Sequence, residues 1–236
     1  MPGSTPSPST TPSTSPRTAR KGRAPSPRSA SRSGKCAEPT NRHETEERTM
    51  LIIDSQVHIW GPNVPERPWP AAGAEGRTSV AQREVPLQRN ELLFEMDRAG
   101  VTAAVIVPPS WEGDYNDLAI EAASRFPTRF AIMGRLDPTR KDAAEQLPGW
   151  KNQPGMLGLR YLFTPASPWL AEGAKYWLWA AAEKQGLPIT MAPRGHFRMM
   201  GEIAERHPGL KMSIDHMGSD SSKNGRAAFA GLDEML

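Results

Sequence analysis

The sequence predicts an α/β protein built on a parallel sheet covered on both faces. Three observations carry that prediction. Short apolar runs alternate with amphipathic stretches six times between residue 51 and the last residue, 236. Most of the runs are continuously apolar, as strands buried on both faces are. The stretches between them are long enough for the crossovers that parallel strands require. An open doubly wound sheet or a closed barrel would each supply the cover.

The first run, residues 51–61 (LIIDSQVHIWG), changes character partway. Its apolar start predicts a central strand. Ile52, Asp54, Gln56, His58 and Trp60 fall on one face, because strand side chains repeat every two residues. A polar row on a buried strand needs partners, so it marks either a hydrogen-bonded network or a site. Residues 62–85 form a Pro-, Gly- and Arg-rich loop around Trp69. Such a loop lies over the mouth of a site or simply in solvent.

The other elements follow in order. A helix is expected over 87–99, where Leu92, Leu93 and Met96 make a stripe and Gly100 ends it. A strand over 101–107 is broken by Pro108-Pro109-Ser110-Trp111. Asn116 or Asp117 caps a helix with Leu118, Ala119, Ala122, Ala123 and Phe126 on one side. The third strand covers 130–136 and runs into Asp137-Pro138; a helix over 141–147 is closed by Pro148 and Gly149. The fourth strand, 156–163, carries Gly158, Arg160 and Leu162 on one face. A long helix over 168–185 bears Trp177 and Trp179. The fifth strand is 187–191. Phe197, Met200, Ile203 and Ala204 stripe the helix after it, which ends at Pro208-Gly209. A sixth strand over 210–216 and a helix over 226–235 complete the chain.

Composition bounds the partners. The formal charge of +3 is uneven. Residues 1–49 hold nine Lys/Arg against four Asp/Glu, whereas the rest is slightly acidic. The basic balance therefore says little about what the folded part binds. No apolar run reaches the roughly 20 residues of a membrane helix. No G-x-G-x-x-G loop follows a strand, which argues against a nucleotide site. The single cysteine, Cys36, excludes a disulfide or cysteine-based zinc site within the monomer and points to a reducing, cytoplasmic compartment. Residues 1–49 are rich in Ser, Thr, Pro and Arg and are expected to be a disordered tail. They read as a basic arm, a transit peptide, or a segment foreign to the protein. The abrupt shift in composition before Met50 favours the last.

Candidate chemistry gathers where strands end. His58 and His216 are imidazoles at strand tips, able to accept a proton near neutral pH or to hold a metal. Arg160 is a bidentate donor suited to a carboxylate. Arg135, Arg194 and His196 are weaker candidates. His207, before Pro208, reads as structural, because a cation is favourable at a helix end.

Asp54-Ser55-Gln56-Val57-His58-Ile59-Trp60 resembles the first strand of the amidohydrolase superfamily, and more closely that of its amidohydrolase-related branch (amidohydrolase 2). Gly155-Met156-Leu157-Gly158-Leu159-Arg160 resembles that branch's G-x-x-G-x-R fourth strand. Ile214-Asp215-His216-Met217-Gly218 is similar to its Asp-His-x-Gly sixth strand. The resemblance covers residue 51 onward and implies a (β/α)8 TIM barrel, truncated here to about six βα units, with strand C-termini converging on one mouth. It implies His58, His216, Gln56 and Asp215 as catalytic residues, and Arg160, Trp60, Tyr161, Arg194 and His196 as substrate-binding residues. It names His58 and His216 as candidate ligands of one divalent metal, zinc or manganese. The branch usually carries His-x-His in its first strand, and Gln56 stands at the first position. An amide is a poorer ligand than imidazole for such ions, so metal-independent action is expected as well. The branch's strand-8 acid has no counterpart after Met217. The implied function is hydrolysis of a lactone or related cyclic ester of a small carboxylated substrate. The alternatives are a metal-dependent non-oxidative decarboxylase and an inactive fragment. The partner is a small molecule, with no nucleic acid and no membrane; a homo-oligomer stays open.

Overall fold

The computed structural model of the protein describes residues 50–69, 81–220, 223–231 and 233. The expected disordered tail, residues 1–49, and the middle of the Pro-rich loop lie outside them. Six strands form one parallel sheet: β1 (Ile53–Val57), β2 (Ala103–Ile106), β3 (Phe130–Gly134), β4 (Met156–Leu162), β5 (Ile189–Ala192) and β6 (Met212–Ile214). They are hydrogen-bonded in strict chain order, β1-β2-β3-β4-β5-β6. A doubly wound sheet reverses its strand order at a switch point. This one never reverses, so it is six consecutive βα units of a barrel wall.

Helices cover one face because their apolar stripes match it. α1 (Arg89–Ala99) buries Leu92 and Met96, one turn apart. α2 (Asp117–Arg125) buries Ala119, Ala122 and Ala123. α6 (Phe197–Arg206) buries Phe197, Met200 and Ile203 at a spacing of three. These join Ile106, Ile132, Leu159 and Ile189, each 0% exposed, in one core. Each such side chain contributes about 1.5–3 kcal/mol by leaving water. Gly158 on β4 is required by close approach: a Cβ there would lie 2.2 Å from the Pro188 carbonyl oxygen.

Four expectations are corrected. The first strand is not central. β1 pairs only with β2 among the described strands, and Leu51, Ile52 and Ile53 are exposed. Its strict alternation is also broken by a register shift between Asp54 and Val57. There the Asp54 carboxylate accepts the Gln56 N–H at 2.9 Å, folding the acid back on its own strand. The long helix over 168–185 is split into α4 (Pro168–Glu172), a 3-10 turn (Gly173–Lys175) and α5 (Trp177–Lys184). Gly173 sits at φ +54°, where a right-handed helix cannot continue. Its carbonyl is held by the Trp179 indole N–H at 3.0 Å, so the break is built into the tryptophan packing. The helix expected over 226–235 is a short 3-10 turn, Gly225–Phe229, with residues 232 and 234–236 outside the described set. The helix expected over 141–147 shrinks to α3 (Ala143–Gln146), continued by a 3-10 stretch, Leu147–Asn152, that buries Trp150.

Candidate active site

The C-terminal ends of β1, β4 and β6 bring the main polar residues together. His58 follows β1 directly, and its Nδ1–H donates to the Val107 carbonyl just beyond β2, at 2.6 Å. A carbonyl only accepts, so this contact puts the proton on Nδ1 and leaves the Nε2 lone pair free. Burial lowers the pKa of His58 and outweighs the opposing bond to Val107; Arg160 and His216 lower it further, while Asp215 raises it. The ring is therefore held neutral, as a proton acceptor must be.

Arg160 of β4 and Asp215 after β6 form a buried ion pair, Nε to Oδ2, at 2.7 Å, with side chains 4% and 5% exposed. Two strand spacings separate their strands, a gap that only a long side chain spans. Burial pulls the Arg160 pKa down against the carboxylate that sustains it, and the nearby Arg194 lowers it too. The pair is thus flanked by a second cation.

The electrostatic reach of His58 to Asp215 and His216 carries a geometric message. In a flat sheet the two edge strands, five spacings apart, would stand about 24 Å from each other. Their tips influence one another here, so the sheet curls and its edges turn toward a common cup.

Other candidates fall in different places. Gln56 lies in β1, its Nε2 buried and without a hydrogen-bond partner. His216 is exposed and adopts φ +52°, as Met217 does at +53°, a left-handed pair after β6. Arg194 also has a positive φ, +47°, after β5. Strain of this kind gathers at functional sites. Trp60 is drawn into packing: it is 4% exposed and meets Trp111 edge-on at 5.7 Å. Tyr161 follows Arg160 and so faces the other side of β4, packing on Trp169 at 4.9 Å. His196 is exposed beside α6, in a shallow groove of about 830 Å³ between α4 and α6. His207 is structural as expected, bridging Glu183 of α5 and the Ala174 carbonyl, both at 3.2 Å.

Two supports were not visible as site residues in the sequence. One is the Val107 carbonyl, a backbone group that no residue type announces. The other is Glu112, 6% exposed, which accepts the Gly61 N–H at 2.8 Å and pairs with Arg67 at 3.2 Å. Arg67 also reaches Asp117 at 2.8 Å. Trp69 donates its indole N–H to the Gly61 carbonyl at 3.0 Å. The described part of the Pro-rich loop is thereby tied down beside the strand that carries His58.

The residues present do not make a strong metal site. Among the described residues no three His, Cys, Asp or Glu side chains converge as a ligand set. Asp215 is committed to Arg160, and Gln56 offers a weak amide donor. Among the described residues no helix is long and apolar enough to cross a membrane.

A curled parallel wall with polar residues at its strand C-termini defines a barrel-type α/β protein. The amidohydrolase family model matches residues 53–236, and the chain belongs to that family. Comparison with curated protein sequences found no match. Solved structures share the fold. One from Acinetobacter baumannii, described as a probable 2-pyrone-4,6-dicarboxylic acid hydrolase with citric acid bound, superposes with a TM-score of 0.58 at 16% identity, covering 79% of this chain and 67% of that one. A Pseudomonas putida structure assigned to the same activity gives 0.56 at 21% identity, covering 79% and 65%. A Burkholderia multivorans amidohydrolase with bound zinc gives 0.58 at 17% identity, covering 79% and 64%. The chain thus spans about two thirds of the length of these structures.

Proposed function

We propose that the cup opens a lactone or related cyclic ester on a small molecule that also bears a carboxylate. The observation that carries this reading is the buried Arg160–Asp215 pair beside a neutral His58. Asp215 fixes the Arg160 Nε, which leaves the guanidinium's terminal N–H groups to bind a substrate carboxylate. Arg194 adds a second cation for the same anion. His58 Nε2 takes a proton from a water molecule as its oxygen adds to the ester carbonyl carbon. The ring C–O bond then breaks, and the leaving oxygen receives that proton from His58. His216 and the Gln56 amide are the donors available to the carbonyl oxygen as negative charge develops on it. Two of the structurally similar proteins are assigned as hydrolases of a cyclic ester carrying two carboxylates. That substrate class suits two guanidinium groups.

The test follows loss of 2-pyrone-4,6-dicarboxylate, and of simpler carboxylated lactones, with the full chain. His58→Asn keeps a donor for Val107 but removes the base, so kcat falls about 100-fold or more. Arg160→Lys keeps the charge but loses the fork, so KM rises more than kcat falls. Unchanged turnover in His58→Asn sinks the reading. Release of carbon dioxide in place of ring opening would transfer the site to decarboxylation.

A further inference from the structure

A second cavity lies on the rim, between the loops after β2, β3 and β4. It has a volume of about 250 Å³ and is lined by Asp114, Arg135, Asp137, Tyr161, Thr164 and Trp169 among others. It is separate from the cup. Arg160 and Tyr161 are neighbours on one strand and face opposite sides of it, so β4 stands between the two sites. Tyr161 is 4% exposed, and its hydroxyl has no hydrogen-bond partner. Burial pushes the pKa of that hydroxyl up, and of the groups that act on it electrostatically Arg135, Asp114 and Asp137 line the cavity, while Tyr176 does not. A buried phenol left unsatisfied is costly unless a ligand completes it.

The wall dictates the ligand. Arg135 donates its Nε–H to the Gly113 carbonyl at 3.0 Å and pairs with Asp114 at 3.4 Å, so these two charges offset each other. Asp137 accepts from the Thr139 N–H and hydroxyl through Oδ1 alone, leaving Oδ2 as an acceptor. The lining carries two carboxylates and one guanidinium, where the cup holds two guanidinium groups, and Arg140 acts on both carboxylates from outside the lining. A ligand here must accept from Tyr161 and donate to Asp137. Hydroxyl groups do both. The Tyr161–Trp169 pair adds an apolar wall for a ring. The volume falls just below the roughly 300 Å³ at which ligand pockets usually begin, so the ligand is small.

We propose that this cleft binds a neutral polyol of about one sugar ring, through the Tyr161 hydroxyl and the Asp137 carboxylate. The proposal does not depend on the chemistry assigned to His58. Isothermal titration of the full chain with D-xylose and with myo-inositol tests it, with citrate as the anionic comparison. At least one polyol binds saturably in the millimolar range, and citrate does not displace it. Tyr161→Phe weakens that binding about tenfold or more, while His58→Asn leaves it unchanged. The thermal midpoint of Tyr161→Phe without ligand is no lower than that of the wild type, because the variant removes an unsatisfied hydroxyl. Absence of saturable binding by both polyols overturns the proposal, as does equal affinity in Tyr161→Phe or a lowered midpoint in that variant. Loss of polyol binding in His58→Asn would move the ligand to the cup and also overturn it.

Discussion

Arg160 and Asp215 stand 55 positions apart in the chain and meet at 2.7 Å with almost no exposure to water. A buried pair of this kind is poor evidence of stability in itself, because both ions lose their hydration. Breaking it from one side is costly. Asp215→Ala leaves an unpaired buried guanidinium and should lower the unfolding free energy by about 3–5 kcal/mol. The double variant Arg160→Met with Asp215→Leu should lie closer to wild-type stability while losing any carboxylate binding. Urea titration of the three chains measures both outcomes. A full 3–5 kcal/mol loss in the double variant would show that the pair itself stabilises the fold.

His58 sets a pH dependence of known sign. Its folded pKa lies below the usual 6.5, mainly through burial. Between the two values the unfolded chain binds more protons, so stability rises with pH. The protein should lose stability as pH falls from 6.5 toward the lowered value, and His58→Asn should flatten that slope. Denaturant midpoints at pH 7.5 and 5.5, taken for both chains, measure the difference. A steeper wild-type fall above pH 7 than below it would contradict the assignment.

Glu112 should matter more than its position in a loop suggests. Glu112→Ala leaves the Gly61 N–H and the Arg67 guanidinium without their shared acceptor, at a cost of about 1–3 kcal/mol. Glu112→Gln restores an oxygen for Gly61 and should recover part of the loss. Thermal midpoints of the two variants rank them. Equal midpoints would assign the effect to charge alone.

Two glycine-to-alanine changes should have opposite signs. At Gly158 the new methyl meets the Pro188 carbonyl oxygen, and overpacking costs about 1–3 kcal/mol or more. At Gly201, inside α6, a Cβ meets nothing within 4 Å, so alanine should stabilise the helix by about 0.5–1 kcal/mol. A urea series on both variants separates strand crowding from helix propensity.

Much of the fold was legible because its signals are local. A run such as Val101 to Val107 reads as a strand wherever it sits, although only alternate residues of β2 are fully buried, and the Phe197, Met200, Ile203 stripe allows one docking face. All six strands were placed within a few residues. The misreadings came from contacts between elements. The Trp177 region reads as one helix until the Trp179 indole captures the Gly173 carbonyl. The apolar start of β1 reads as central, yet only its pairing partners decide whether a strand is an edge.

The site divides in the same way. The sequence by itself determined the residue types at the strand tips, among them the imidazoles at 58 and 216, the guanidinium at 160, the carboxylate at 215 and the amide at 56. Those identities follow the two-residue strand repeat and the family resemblance. Only the tertiary structure decided that Asp215 is spent on Arg160, that Val107 fixes the His58 tautomer, and that Trp60 is packing while Tyr161 belongs to a separate cleft. The physical reason is reach. Hydrogen bonds act over about 3 Å, and which groups come that close across a curled sheet depends on register and curvature, which no single stretch of chain encodes.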